Sequence, residues 1–129
     1  MKSCFIILCC SMLFVACENV KFLPIAGKWQ LKSVDINGNI SQVDTVWYNF
    51  QSNSIFSLQL YMPEWDSYLV YTGMRTQHDN TLSIVVTDNG IVDFSDWKST
   101  NRSFTIVKIN KRRLILQSEE GYVYSFIKF

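Results

Sequence analysis

Phe56-Ser57-Leu58-Gln59-Leu60-Tyr61-Met62 places a large apolar side chain at every second position. A period of two is the signature of a strand with one buried face: Phe56, Leu58, Leu60 and Met62 point one way, Ser57, Gln59 and Tyr61 the other. The same period recurs along the chain. Trp29, Leu31 and Ser33 alternate with Lys28, Gln30 and Lys32; Leu82, Ile84 and Val86 repeat the pattern, as do Leu114 and Leu116 against Gln117. Tyr122, Tyr124 and Phe126 alternate with Val123, Ser125 and Ile127. Aromatic and β-branched residues dominate these runs, which suits a pleated, half-buried surface.

Turn chemistry falls between the runs. Asn37-Gly38-Asn39, Asp88-Asn89-Gly90 and Glu119-Glu120-Gly121 are tight-turn sequences, and 51–54 and 77–80 are short polar breaks. Strands are predicted near 28–36, 45–50, 55–62, 68–75, 81–87, 103–109, 112–118 and 121–128. Only 92–97 has the look of a helical turn or a short irregular strand. Eight strands in succession with short turns make an antiparallel meander. Left open, such a sheet has two unpaired edges, an aggregation hazard that closure removes. The predicted fold class is therefore all-β, an antiparallel eight-stranded up-and-down β-barrel, with a twisted β-sandwich as the alternative. The last strand would pair back to the first, where Trp29 would plug one end. Eight strands enclose just enough room for packed side chains or one small ligand.

The N-terminus reads as an address. Lys2 supplies a positive start, Cys4 to Ala16 an apolar run, and Cys17 closes it. The run is too short to span a bilayer, which takes about 20 residues. Ala16-Cys17 resembles a bacterial lipobox, which implies signal removal and lipid on Cys17. The expected organisation is a lipoprotein signal peptide over 1–16, a lipidated N-terminus and tether over 17–26, and a barrel domain over 27–129. The expected location is the cell envelope, held by lipid to a bacterial outer membrane. All four cysteines lie at or before position 17, so the barrel domain can hold no disulfide, thiolate–metal site or cysteine nucleophile.

Charge points to no nucleic-acid partner. Setting aside Lys2, 11 basic residues face 11 acidic ones, without the basic footprint of a nucleic-acid binder. Lys108, Lys111, Arg112 and Arg113 form the one basic cluster. It reads as a solvated hairpin turn, or else as a patch for lipid headgroups or an acidic partner. His78 is the lone histidine and sits in a predicted turn without partners at metal or triad spacing. Asp88, Asp93 and Asp96 lack the dense ligand spacing of a calcium loop, and Glu64 with Asp66 is the only close carboxylate pair beside aromatic residues. No cofactor, metal site or catalytic residue is expected, and the chain does not read as an enzyme.

Recognition is best placed on the aromatic segment Tyr61-Met62-Pro63-Glu64-Trp65-Asp66-Ser67-Tyr68-Leu69-Val70-Tyr71. Pro63 breaks the strand and puts Trp65 on a loop at one barrel mouth. Tyr61, Trp65, Tyr68, Tyr71 and Trp97 are the candidate ligand-binding residues, a stacking platform for an apolar molecule or a sugar ring. The competing reading is a loop folded over the barrel end as an apolar lid.

Gly27-Lys28-Trp29 at the start of the first strand resembles the Gly-x-Trp signature that opens lipocalin-like barrels. A lipobox followed by Leu23-Pro24-Ile25-Ala26-Gly27-Lys28-Trp29-Gln30-Leu31 is similar to the small lipocalin-like lipoproteins of Bacteroidetes, and Leu114-Ile115-Leu116 with Tyr122-Val123-Tyr124-Ser125-Phe126 resembles their ending. The resemblance implies that Gly27 and Trp29 are structural residues of the barrel end. It also implies a later arginine over the tryptophan, with Arg112 and Arg113 as candidates. The chain is shorter than a standard lipocalin and has no C-terminal helical segment, which argues against a large cavity. The function expected is a membrane-anchored binding module for a small apolar or glycan ligand. The alternative is a solid scaffold for an envelope protein partner, such as a hydrolase inhibitor or accessory subunit.

Overall fold

Nine β-segments and one short helix follow one another through residues 24–129, the part of the chain that the computed structural model describes. The expected signal segment and Cys17 lie outside the described residues. The segments are β1 (Gly27–Ile36), β2 (Asn39–Gln42), β3 (Val46–Phe50), β4 (Ile55–Met62), β5 (Ser67–His78), β6 (Thr81–Val86), α1 (Ile91–Phe94), β7 (Asn101–Ile109), β8 (Arg113–Ser118) and β9 (Val123–Lys128). Consecutive strands pair antiparallel, and β9 pairs back to β1 with Leu31 opposite Phe126. That last pairing closes the sheet and decides for the barrel over the sandwich.

Nine segments make eight staves. β2 pairs with Ser33–Ile36 of β1, and β3 pairs with Gly27–Gln30 of the same strand. The two are halves of one interrupted stave, broken at 43–45. Two bonds hold the break to β1: the Val43 N–H donates to the Lys32 carbonyl at 2.9 Å, and Gln30 Nε2 to the Asp44 carbonyl at 2.9 Å. β2 is absent from the sequence expectation because all four of its residues are exposed, so it carries no alternation of buried and exposed positions. The Asn37-Gly38 turn before it has positive φ at both residues (54° and 91°), as a tight two-residue hairpin requires.

The inward faces follow the two-residue period with one correction. Trp29 and Leu31 point inward as expected, but a bulge between Leu31 and Ser33 shifts the register. Val34, not Ser33, is the next buried residue. Tyr48 is the hub of the core. Its ring meets those of Phe50, Phe56, Trp97, Phe104 and Phe126 at centroid distances of 4.8 to 6.4 Å. Such pairs add about 0.5–1.5 kcal/mol each beyond the area they bury. Leu58, Leu82, Ile84, Leu114 and Leu116 fill the space between these rings.

One end of the barrel is shut. Ile25 and Trp29 are both buried there, and Trp29 Nε1 donates to the Ile25 carbonyl at 2.9 Å. The cation over the indole is Lys128, with Nζ 4.6 Å from the ring centroid. It also donates to the Ala26 carbonyl at 3.0 Å. The arginine expected at this place, Arg112 or Arg113, is replaced by a lysine from the closing strand, because β9 runs directly beside β1. Gly27 sits beside it with φ of 135°, where a Cβ would lie 2.0 Å from Lys128 Nζ.

Candidate functional site

The opposite end is open and carries a cavity of about 260 Å³. Its origin is the interrupted stave: Val43, Thr45 and Val46 at the break line one side. Leu31 and Val34 of β1 form a second wall, and Leu60, Tyr61 and Met62 of β4 the rim. Tyr48, Leu58 and Trp97 lie deepest, all buried. Phe94, the last residue of α1, leans over the opening with Ser95 and Asp96, which follow it. The lining is therefore mostly aliphatic and aromatic.

The loop between β6 and β7 is held over the barrel by a polar clamp. Ser95 Oγ donates to the Ile91 carbonyl at 2.6 Å and accepts the Trp97 backbone N–H at 3.1 Å, which ends the helix and turns the indole inward. Asp96 accepts from Arg102 Nη1 at 3.0 Å and from the Tyr124 hydroxyl at 2.5 Å. Arg102 donates in turn to the Tyr124 oxygen. The Arg102 side chain is only 9 % exposed, and its guanidinium lies over Phe104 at 4.8 Å, Tyr124 at 4.9 Å and Trp97 at 5.6 Å. Both Asp96 oxygens are thus committed to the wall, so this carboxylate anchors the loop.

Trp97 Nε1 donates to the Tyr48 hydroxyl at 3.1 Å. Among the described residues the Tyr48 O–H proton has no acceptor, which leaves one buried donor among the side chains that line the cavity. Burial pushes this hydroxyl well above its ordinary value of 10.0, against the opposing pull of Arg102. Tyr124 is raised in the same direction, first by burial and then by its bond to Asp96. Both folded-state values lie above the unfolded ones, so their contribution to stability is complete below about pH 10 and is lost as pH rises further. The expected result is a stability that falls above pH 10, with the tyrosinate absorbance of these two residues appearing together with unfolding. Ionisation of all six tyrosines in a still-folded chain would contradict the burial of this pair.

The candidate recognition residues fall into three places. Tyr71 and Trp97 face the interior, 6 % and 2 % exposed. Trp65 is on the β4–β5 turn, 55 % exposed, with its ring edge-on to Phe94 at 5.7 Å. Tyr61 and Tyr68 are cross-strand partners on the outer face, with ring centroids 5.2 Å apart, and Tyr68 continues to Trp47 at 6.0 Å. Tyr61 also donates to Asp66 at 2.7 Å. Trp65 and Tyr61 thus reach the mouth, while Tyr68 does not line it. Asp88, Asp93 and Asp96 form no metal-holding group among the described residues, and His78 is exposed beside Asp79 at 3.9 Å.

Sequence reasoning missed Tyr48, Arg102 and Phe94. Tyr48 lay within a predicted strand, and the spacing Val46, Tyr48, Phe50 marks its inward face. Arg102 lay one residue outside the strand predicted at 103–109; carrying the Phe104, Ile106 alternation back by two would have turned it inward. Phe94 has no such signal, since a single helical turn has no period to read.

A family model described as a lipocalin-like domain matches residues 12–129. A lipocalin-like protein from Bacteroides uniformis ATCC 8492 has a solved structure with a TM-score of 0.73 and 26% identity, covering 81% of this chain and 98% of that one. A solved structure of an uncharacterized protein from Bacteroides eggerthii DSM 20697 gives a TM-score of 0.71 at 23% identity, covering 82% and 100%. No curated protein matches the sequence at a significant level. With a closed eight-stave barrel, a Gly-x-Trp strand plugging its base and a match over nearly its whole length, this chain belongs to the lipocalin-like domain family.

Proposed function

We propose that this chain is a binding module of the cell envelope, tethered through lipid on Cys17, that holds a small, predominantly apolar molecule in the mouth cavity. The observation that carries the reading is the 260 Å³ cavity lined by Leu31, Val34, Leu58 and Leu60, with the Tyr48 hydroxyl, which accepts from Trp97 and keeps its own proton free to donate, at its buried end. Ligand pockets combine apolar walls with a few placed polar groups, and span about 300–1,000 Å³ for drug-sized molecules. A cavity just below that range suits one ring or a short acyl segment with an oxygen for Tyr48. A glycan fits less well, because each buried sugar hydroxyl would need a partner that these walls do not supply. Binding rather than catalysis accords with this lining, whose one carboxylate is already bonded to Arg102 and Tyr124.

A second reading has its own observation. Trp65 and Phe94 pack together at the rim while 55 % and 43 % exposed, a pair suited to a protein partner. The two readings separate in one experiment on the full chain extracted in detergent. Mass spectrometry of copurifying molecules is combined with titration of a fluorescent alkyl probe. Val43→Trp places an indole in the cavity from the half-buried strand break, so probe affinity is expected to fall by about tenfold or more while the circular dichroism melt is retained. Unchanged probe binding in that variant, with a stoichiometric protein copurifying, would overturn the cavity reading in favour of the rim.

A further inference from the structure

A net charge near zero conceals a separation of charge along the barrel axis. At the closed end, Lys28 and Lys128 flank the base, and the β7–β8 hairpin adds Lys108, Lys111, Arg112 and Arg113. Backbone bonds draw these groups together: the Lys128 N–H donates to the Arg112 carbonyl at 2.8 Å, and the Phe129 N–H to the Lys28 carbonyl at 3.0 Å. Among the described residues none of the six cations is in an ion pair. The turns at that end contain one acid, Asp79, on the β5–β6 hairpin. The turns at the mouth are the reverse, with Glu64, Asp66, Asp88, Asp93, Glu119 and Glu120 all exposed.

We infer that the closed end of the barrel docks on an anionic lipid surface, with the mouth held away from it. Three observations point to lipid. The chain enters the barrel at this end, through Ile25 and Ala26 beneath Lys128, and the tether over 17–26 spans at most about 35 Å even when extended. A lipid on Cys17 would therefore bring the basic end to the surface, and not the acidic one. Asn110 to Arg113 frame a shallow depression of about 430 Å³, open enough for a phosphate headgroup. Phe129, 68 % exposed with Lys28 Nζ 5.0 Å from its ring, adds an apolar ring of the kind that enters the headgroup–acyl boundary beside basic residues. The acids at the mouth are repelled by the same surface, so orientation follows from both ends. The inference rests on the anchored reading above only for the direction of approach.

Each cation close to an anionic bilayer strengthens association about fivefold at low salt. The test is amine-reactive footprinting of the full-length, membrane-extracted protein. It is mixed with vesicles of phosphatidylcholine alone, or of phosphatidylcholine with one-third phosphatidylglycerol. Lys28, Lys108, Lys111 and Lys128 are expected to react roughly fivefold more slowly on the anionic vesicles, while Lys32 and Lys98 are unchanged. About 0.5 M sodium chloride is expected to abolish the difference by screening. The variant Lys111→Gln/Arg112→Gln/Arg113→Gln is expected to lose the protection at Lys28 and Lys128 with its melt intact, since the turn is held by backbone N–H groups of residues 112 and 113 on the Asn110 side chain. Equal reactivity on both vesicles overturns the inference, as does protection that appears only when acidic envelope proteins are added. Retention on neutral vesicles reports the lipid anchor separately, so a chain that leaves neutral vesicles but is protected on anionic ones contradicts the anchor and not the docking.

Discussion

Trp97→Ala is expected to lower the unfolding free energy by about 3–5 kcal/mol in urea melts. The indole is 2 % exposed and lies nearly parallel to Phe56, 6.1 Å away at 23°. Its removal leaves a void beneath the β6–β7 loop and takes away the donor to the Tyr48 hydroxyl. The surroundings cannot collapse freely into that space. Asp96, one residue before, is fixed to Arg102 and Tyr124, and Tyr48 is still locked among the four rings of Phe50, Phe56, Phe104 and Phe126. Trp97→Phe retains a ring against Phe56 and loses the N–H donor, so a smaller decrease of about 1–2 kcal/mol is expected. Trp65→Ala is the control, an exposed side chain whose loss is expected to shift stability by no more than about 0.5 kcal/mol. A Trp97→Ala melt within 1 kcal/mol of wild type would mean that the loop is an appendage, and not part of the core.

The contrast between these two tryptophans shows what a period of two can and cannot tell. Strands such as Phe56 to Met62 and Leu82 to Val86 declare their faces because neighbours alternate between core and solvent. The meander and its eight staves were legible from that alternation together with the turn residues, and the return of β9 to β1 from the hazard of leaving two sheet edges unpaired. Trp65 and Trp97 both lie outside strands, where residue type says that a ring must be covered or used but not which. Trp97 is buried because Ser95 and Asp96 fix the loop before it, an arrangement completed by Tyr124 of β9, which is distant in sequence. The interruption at 43–45 was illegible for a related reason. β2 is exposed throughout, so nothing in its residues shows that it continues β3 and leaves a gap. The cavity depends on that gap, and so the site was harder to read than the fold. The axial separation of charge was hidden likewise: balanced counts are silent until topology sorts turns to one end or the other.

Gly73→Ala is expected to be the most damaging small substitution in the barrel. β5 is the longest strand, and Gly73 is where it changes partners. Opposite Phe56 it is still paired with β4, and opposite Val86 it begins its pairing with β6. Only Gly73 and Met74 pair with both neighbours, so the strand passes from one to the other within two residues and must coil sharply there, and a glycine within a strand marks such a bend or a close backbone approach. The approach here is close. A Cβ at Gly73 would fall 1.9 Å from the Val85 carbonyl oxygen and 2.7 Å from Val86 Cα. Both are backbone atoms, so no rotamer change relieves the clash. The alternative is to part β5 from β6, which strips ladder bonds and opens the closed sheet that brings β9 to β1. Overpacking in a core costs about 1–3 kcal/mol where side chains can yield; with backbone on the receiving side, a loss of about 3 kcal/mol or more is expected, enough to drive much of the chain into aggregates at 37 °C. Sedimentation of the expressed variant and its melting temperature are the measurements. A soluble Gly73→Ala chain melting within a few degrees of wild type would show that β5 and β6 do not approach as described, and the barrel would then have to close by a different coil of the sheet.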